Sequence, residues 1–165
     1  MADYFSPTVV QQLIPVADMT LLERLVLGHV FDIETEDDGL YLHSSLGPSD
    51  GIGLSINDLR TALEASTEEE SVLTAYVRDR VAAAPADDTD IELDLSEPSW
   101  AHILQDIVRR STTLNYISVV SAFTCCRMRA DGFGGGIVVI TAEAINSRST
   151  HDIMEELLMS RGKGG

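Results

Sequence analysis

The sequence predicts an α+β protein, an antiparallel sheet of about five strands with helices packed on it, and three observations carry that prediction. Residues 29–43 and 91–95 alternate between apolar and polar side chains, the period of half-buried strands. Amphipathic runs led by serine or threonine follow at 20–26, 55–63, 99–110 and 149–158, the pattern of capped helices. Ile137–Ile140 is an unbroken apolar run, as expected of a strand covered on both faces. With 165 residues, 44% of them hydrophobic and 23% charged, the chain suits one compact domain.

Ser6-Pro7 reads as a helix start that would place Val9, Val10, Leu13 and Ile14 on one face before Pro15 stops it. Thr20-Leu-Leu-Glu23 has the spacing of a capping box, in which the threonine oxygen and the glutamate carboxylate each accept from the other's free amide. It opens a helix of Leu21, Leu22, Leu25 and Val26. Next, Phe31 and Ile33 alternate with Asp32, Glu34 and Glu36, and Leu40 to His43 returns after Asp37-Asp38-Gly39. Pairing Ile33 with Leu42 buries Phe31, Ile33, Leu40 and Leu42 and turns Asp32, Glu34, Tyr41 and His43 outward, with His43 opposite Asp32.

Leu46 to Gly53 reads as a loop from its glycine and proline content. Ser55-x-x-Asp58 caps a helix carrying Leu59, Ala62 and Leu63. Thr67-x-x-Glu70 caps another carrying Val72, Leu73, Tyr76, Val77 and Val81. Pro85 to Asp90 is the most linker-like stretch. Ile91, Leu93 and Leu95 then form a strand, and Pro98-Ser99 introduces a helix with Trp100, Ile103, Leu104, Ile107 and Val108 inward. Thr113 to Val120 suits a short helix, or a strand beginning at Val119 that contains Phe123 and Cys125. Gly132 to Gly136 is the turn into Ile137–Ile140, and Ser149-x-x-Asp152 caps the last helix, with Ile153, Met154, Leu157 and Leu158 apolar.

The same order of elements is read twice, in pseudo-repeats 6–65 and 98–159 joined by 66–97. Pro7 and Pro98, Thr20 and Thr113, Phe31 and Phe123, and Ser55 and Ser149 are 91 to 94 residues apart. Such a duplication would bring both hairpins into one sheet about a pseudo-twofold axis.

Charge is divided unevenly. Residues 1–97 hold 21 Asp and Glu against 4 Arg and no Lys, whereas residues 98–165 hold 6 acids against 7 bases. An acidic field of this kind repels phosphates, so direct nucleic-acid binding is not expected, and it attracts basic protein surfaces. The N-terminus has no signal-peptide pattern and no apolar run approaches the length of a membrane span, so a cytoplasmic protein with no membrane association is expected. The two cysteines are the adjacent Cys125 and Cys126, which suits a reducing compartment and a small buried hydrophobe.

No catalytic pattern stands out. Glu34-x-Glu36-x-Asp38-Gly39 has the opening of a calcium loop, but Ser45 occupies the position of the required bidentate glutamate. The four histidines have no metal-site spacing, the cysteines point to opposite faces of a strand, and no Gly-x-Ser-x-Gly elbow occurs. Neither a metal nor a cofactor is expected. Two surfaces remain. The first is acidic, comprising Asp32, Glu34, Glu36, Asp37, Asp38, Glu68, Glu69 and Glu70, and implies a non-catalytic protein that binds a basic protein, including the particular case of imitating the charge of DNA. The second comprises Arg127, Arg129, Gly134 and Gly135, where arginines and close-approaching amides would hold an anionic small molecule in an enzyme or binding domain. Sheet edges and apolar helix faces would also admit a homo-oligomer.

Overall fold

A computed structural model describes residues 1–66 and 70–162. It is an α+β fold with five helices and nine strands among those residues, all strand pairs being antiparallel. The strands are β1 (Tyr4–Phe5), β2 (Thr8–Val10), β3 (Asp32–Glu36), β4 (Gly39–Ser44), β5 (Gly51–Ser55), β6 (Asp90–Asp94), β7 (Tyr116–Cys125), β8 (Gly134–Thr141) and β9 (Ile145–Ser149). The helices are α1 (Leu21–Val30), α2 (Ile56–Ala65), α3 (Val72–Ala83), α4 (Trp100–Arg110) and α5 (Thr150–Arg161). Seven strands form one sheet in the order β3-β4-β2-β7-β8-β9, with β1 added on β7, and β5 and β6 form a separate ribbon.

One face of the large sheet is the core. Leu40, Leu42, Ile117, Val119 and Ile140 are buried on it with Leu22, Val26 and Leu27 of α1 and Ile103, Leu104 and Ile107 of α4. Leu59 of α2, Leu73 and Val77 of α3 and Leu93 of the ribbon extend the same cluster. Each fully buried side chain of this size contributes roughly 1.5–3 kcal/mol relative to exposure.

The capping box at Thr20 forms as expected, with the Glu23 amide donating to Thr20 Oγ1 at 3.1 Å and the Thr20 amide donating to Glu23 Oε2 at 2.9 Å. Ile33 pairs with Leu42, as the hairpin's periodicity requires. Ser55 and Ser149 cap α2 and α5. The cap expected at Thr67 lies outside the described residues; Ser71 caps α3 through the Thr74 amide at 3.1 Å.

Four segments depart from expectation in type, and the run Ile137–Ile140, expected to be covered on both faces, departs in burial, because no described helix buries it on the side of the sheet away from the core and Ile137 is left exposed. The helix read after Pro7 is strand β2, because Val9 and Val10 are β-branched and complete the sheet between β4 and β7. The helix read from Thr113 is replaced by β7, which starts at Tyr116 and is the longest strand. The loop read before Gly53 ends in β5, which pairs along its whole length with β6. Of the turn read over Gly132 to Gly136, Gly134 onward belongs to β8. The strand count therefore exceeds five. Two of the four repeat correspondences change type as a result: Pro7 leads a strand and Pro98 a helix, while Thr20 caps a helix and Thr113 precedes a strand.

Candidate functional site

The face of the sheet turned away from α1 and α4 is crossed by one register row: Asp32, His43, Val9, Val120, Ile137 and Arg148 stand side by side on six successive strands. Their side chains share that face because register fixes it. The row is acidic at the β3 edge, apolar in the middle, where Val9 and Ile137 are exposed, and basic at the β9 edge.

The acidic end is the β3–β4 hairpin. Asp32, Glu34 and Glu36 occupy alternate positions of the edge strand and are exposed, and Asp37 and Asp38 form its turn, also exposed. No Lys or Arg occurs between Arg24 and Arg60 to neutralise them. Among the described residues their one ion-pair partner is His43, whose Nε2 lies 2.8 Å from Glu34 Oε1. His43 thus meets the diagonal Glu34 instead of the directly opposite Asp32, and its ring stacks on Tyr41 at 5.0 Å. Gly39 is required for a reason the turn motif does not show: a Cβ there would lie 2.7 Å from the carbonyl oxygen of Ile14, which exchanges two hydrogen bonds with Leu40.

Of the other acids, Glu68 and Glu69 lie outside the described residues. Glu70 stands before α3, in the helical layer that covers the opposite face of the sheet, and holds Arg78 at 3.2 Å. The structure therefore brings Asp32, Glu34, Glu36, Asp37 and Asp38 together and leaves Glu70 apart.

Arg127 and Arg129 lie in the connection between β7 and β8. Arg129 donates to both carboxylate oxygens of Asp131, at 3.1 and 3.5 Å, which holds Asp131 below the usual carboxylate range. Gly134 and Gly135 are strand residues whose missing side chains admit other groups: a Cβ on Gly134 would meet Thr150 Oγ1 at 2.9 Å, and one on Gly135 would meet the Ser121 carbonyl at 2.9 Å. Cys125, the last residue of β7, is buried as a small hydrophobe, whereas Cys126 lies just past the strand and is exposed, contrary to that expectation. Among the described residues no three His, Cys, Asp or Glu side chains are grouped to hold a metal.

A site that sequence reasoning missed lies between α1 and α4. Glu23 is 1% exposed; Arg110 donates to its Oε2 at 2.5 Å and also to the Asp18 carbonyl at 3.1 Å, while its Oε1 has no partner among the described residues. Burial pushes the carboxyl above its usual range, against the downward pull of Arg110 and the Thr20 amide. A cleft of about 280 Å³ opens beside this pair, lined by Asp18, Met19, Thr20, Leu21, Ser66 and Arg110. The only sequence signal was the capping box, which accounts for Glu23 by itself.

The basic end of the row leads directly into α5, since Ser149 ends β9 and caps the helix. Arg148 reaches Glu156, and His151 lies 3.3 Å from Glu155. No residue of α5 is buried. No described helix is long and apolar enough to cross a membrane. The chain matches no family model, no curated protein and no solved structure.

Proposed function

We propose that this is a non-catalytic interaction protein whose β3–β4 hairpin binds a basic protein partner. The observation that carries the reading is the set of five carboxylates, Asp32, Glu34, Glu36, Asp37 and Asp38, along one exposed edge hairpin, of which only Glu34 has a side-chain partner of opposite charge type, His43, among the described residues. Such a set steers a cationic surface into contact, and binding through it falls with ionic strength. An acidic edge strand also discourages two sheets from joining edge to edge, and that simpler role is what the test must separate.

Capture from lysate of the source cell, at low salt and at about 0.5 M salt, compares the wild type with a variant carrying Asp32→Asn, Glu34→Gln, Glu36→Gln, Asp37→Asn and Asp38→Asn. A basic protein retained at low salt, released at high salt and held at least about tenfold more weakly by the variant is the expected result. Equal capture by wild type and variant, or none by either, rejects the reading. The alternative, an anionic small molecule at Arg127 and Arg129, has less support because Asp131 already occupies the guanidinium of Arg129. We also propose an internal duplication with a changed correspondence, α1 matching α4 in place of the matches Pro7 to Pro98 and Thr20 to Thr113. Its support is the order helix, three strands, helix, which occurs as α1-β3-β4-β5-α2 and again as α4-β7-β8-β9-α5, with both last strands running straight into a serine-capped helix.

A further inference from the structure

We propose that α5 is the interface of a homodimer, in which a second copy of this chain docks antiparallel against its apolar stripe. Helical spacing places Ile153, Met154, Leu157 and Leu158 on one face, and they are 45%, 48%, 63% and 60% exposed. A 12-residue helix that buries none of its side chains is at the length where isolated helices are marginal in water, so a capping box at Ser149 alone does not account for its stability. The stripe requires a cover.

Three observations identify the cover as another copy. The first is charge. The N-terminal part of α5, with the residues that lead into it, holds Asp152, Glu155 and Glu156 against Arg148 and His151, which pair with Glu156 and Glu155, and so stays net acidic, while the last turn holds Arg161. Antiparallel pairing about Leu157 and Leu158 sets the Arg161 end of each helix beside the acidic end of the other. Parallel pairing would put like charges together.

The second is position. The chain carries a net charge of −16, which opposes self-association, but residues 98–165 balance 6 acids with 7 bases. The sheet order separates the acidic β3 edge from β9 by five strand spacings, roughly 24 Å. Two copies meeting at α5 therefore join at their least charged end and hold their acidic hairpins far apart, beyond a Debye length at physiological salt.

The third is area. The four side chains leave on the order of 400 Å² exposed per copy, the size of the largest apolar patch on a typical monomer, which is often functional. A twofold pair covers at most about 800 Å² from these side chains, so reaching the roughly 1,000 Å² threshold of a specific interface also requires their polar flanks to meet.

Sedimentation equilibrium or light scattering on the full chain tests this at micromolar to hundred-micromolar concentration. The expected mass is twice the 17.9 kDa of one chain. The double variant L157E/L158E is expected to return it to a single chain that still unfolds cooperatively, with circular dichroism losing at most the signal of the one uncovered helix and the midpoint falling only by the contribution of the lost partner. Should the charged pair unfold, L157Q/L158Q serves in its place. A wild type that stays monomeric throughout this range overturns the proposal, as does a folded double variant that remains dimeric. The test is independent of the acidic hairpin, whose neutralised variant should dimerise as the wild type does.

Discussion

Glu23 shows how one side chain can satisfy a local rule and a distant one with the same atoms. Its Oε2 closes the capping box on the Thr20 amide and also receives Arg110 from α4, 87 residues away in sequence. The local role was legible at a spacing of three residues. The distant one was not, because nothing in a capping motif states that the carboxylate will be buried. Burial and Arg110 act in opposite directions on its protonation, and burial prevails. A carboxyl whose folded pKa lies above its unfolded value stabilises the fold fully below the ordinary glutamate range, and that contribution is lost as pH rises through the folded pKa. Glu23→Gln keeps the cap, since glutamine also serves at this position, but does not titrate. The stability of the variant relative to wild type should therefore rise with pH from the ordinary glutamate range upward, read from denaturant unfolding of both chains at a series of pH values. A relative stability that falls over the same interval would mean that the attraction of Arg110 outweighs burial.

At the scale of elements, what was legible was what each segment specifies by itself. The hairpin register, the inward face of α4 and the caps of α2 and α5 follow from short-range periodicity and capping chemistry. Strands β1, β2, β5 and β9 are two to five residues long and hold their conformation through partners; Thr8 pairs with Ser121, 113 residues on. A three-residue run has no period to read. The turn motif Asp37-Asp38-Gly39 likewise does not show that Gly39 belongs to β4, where the backbone of Ile14 passes too close for any side chain. Gly39→Ala should push Ile14 off Leu40 and cost about 1–3 kcal/mol of stability, measurable as a lower denaturant midpoint with an unchanged slope. An unchanged midpoint would show that the segment at Ile14 yields freely. The acidic face was likewise legible from alternation. The exposure of α5 was not, since an amphipathic pattern shows that a face needs covering and is silent on what covers it.

Across the whole molecule, the uneven charge of the sequence becomes a spatial gradient, because the sheet sets the acidic hairpin on one edge and the near-neutral C-terminal strands on the other. Acids left without counter-charges repel one another in the folded chain more than in the expanded one, and they therefore reduce stability. Salt should relieve that repulsion. Between about 20 mM and 0.5 M sodium chloride the screening length falls from roughly 20 Å to about 4 Å, so separated carboxylates cease to interact while the buried Glu23 and Arg110 pair is little affected. The thermal midpoint is expected to rise by a few degrees, the size produced by about 1 kcal/mol in a chain of this length. The variant with Asp32, Glu34, Glu36, Asp37 and Asp38 neutralised should start higher and rise less, because it lacks the densest part of the field. Both scans belong at one protein concentration, so that dimerisation contributes equally. A wild-type midpoint that is flat or falls with salt would show that the acids are compensated in the fold, and would remove the electrostatic reason for a basic partner.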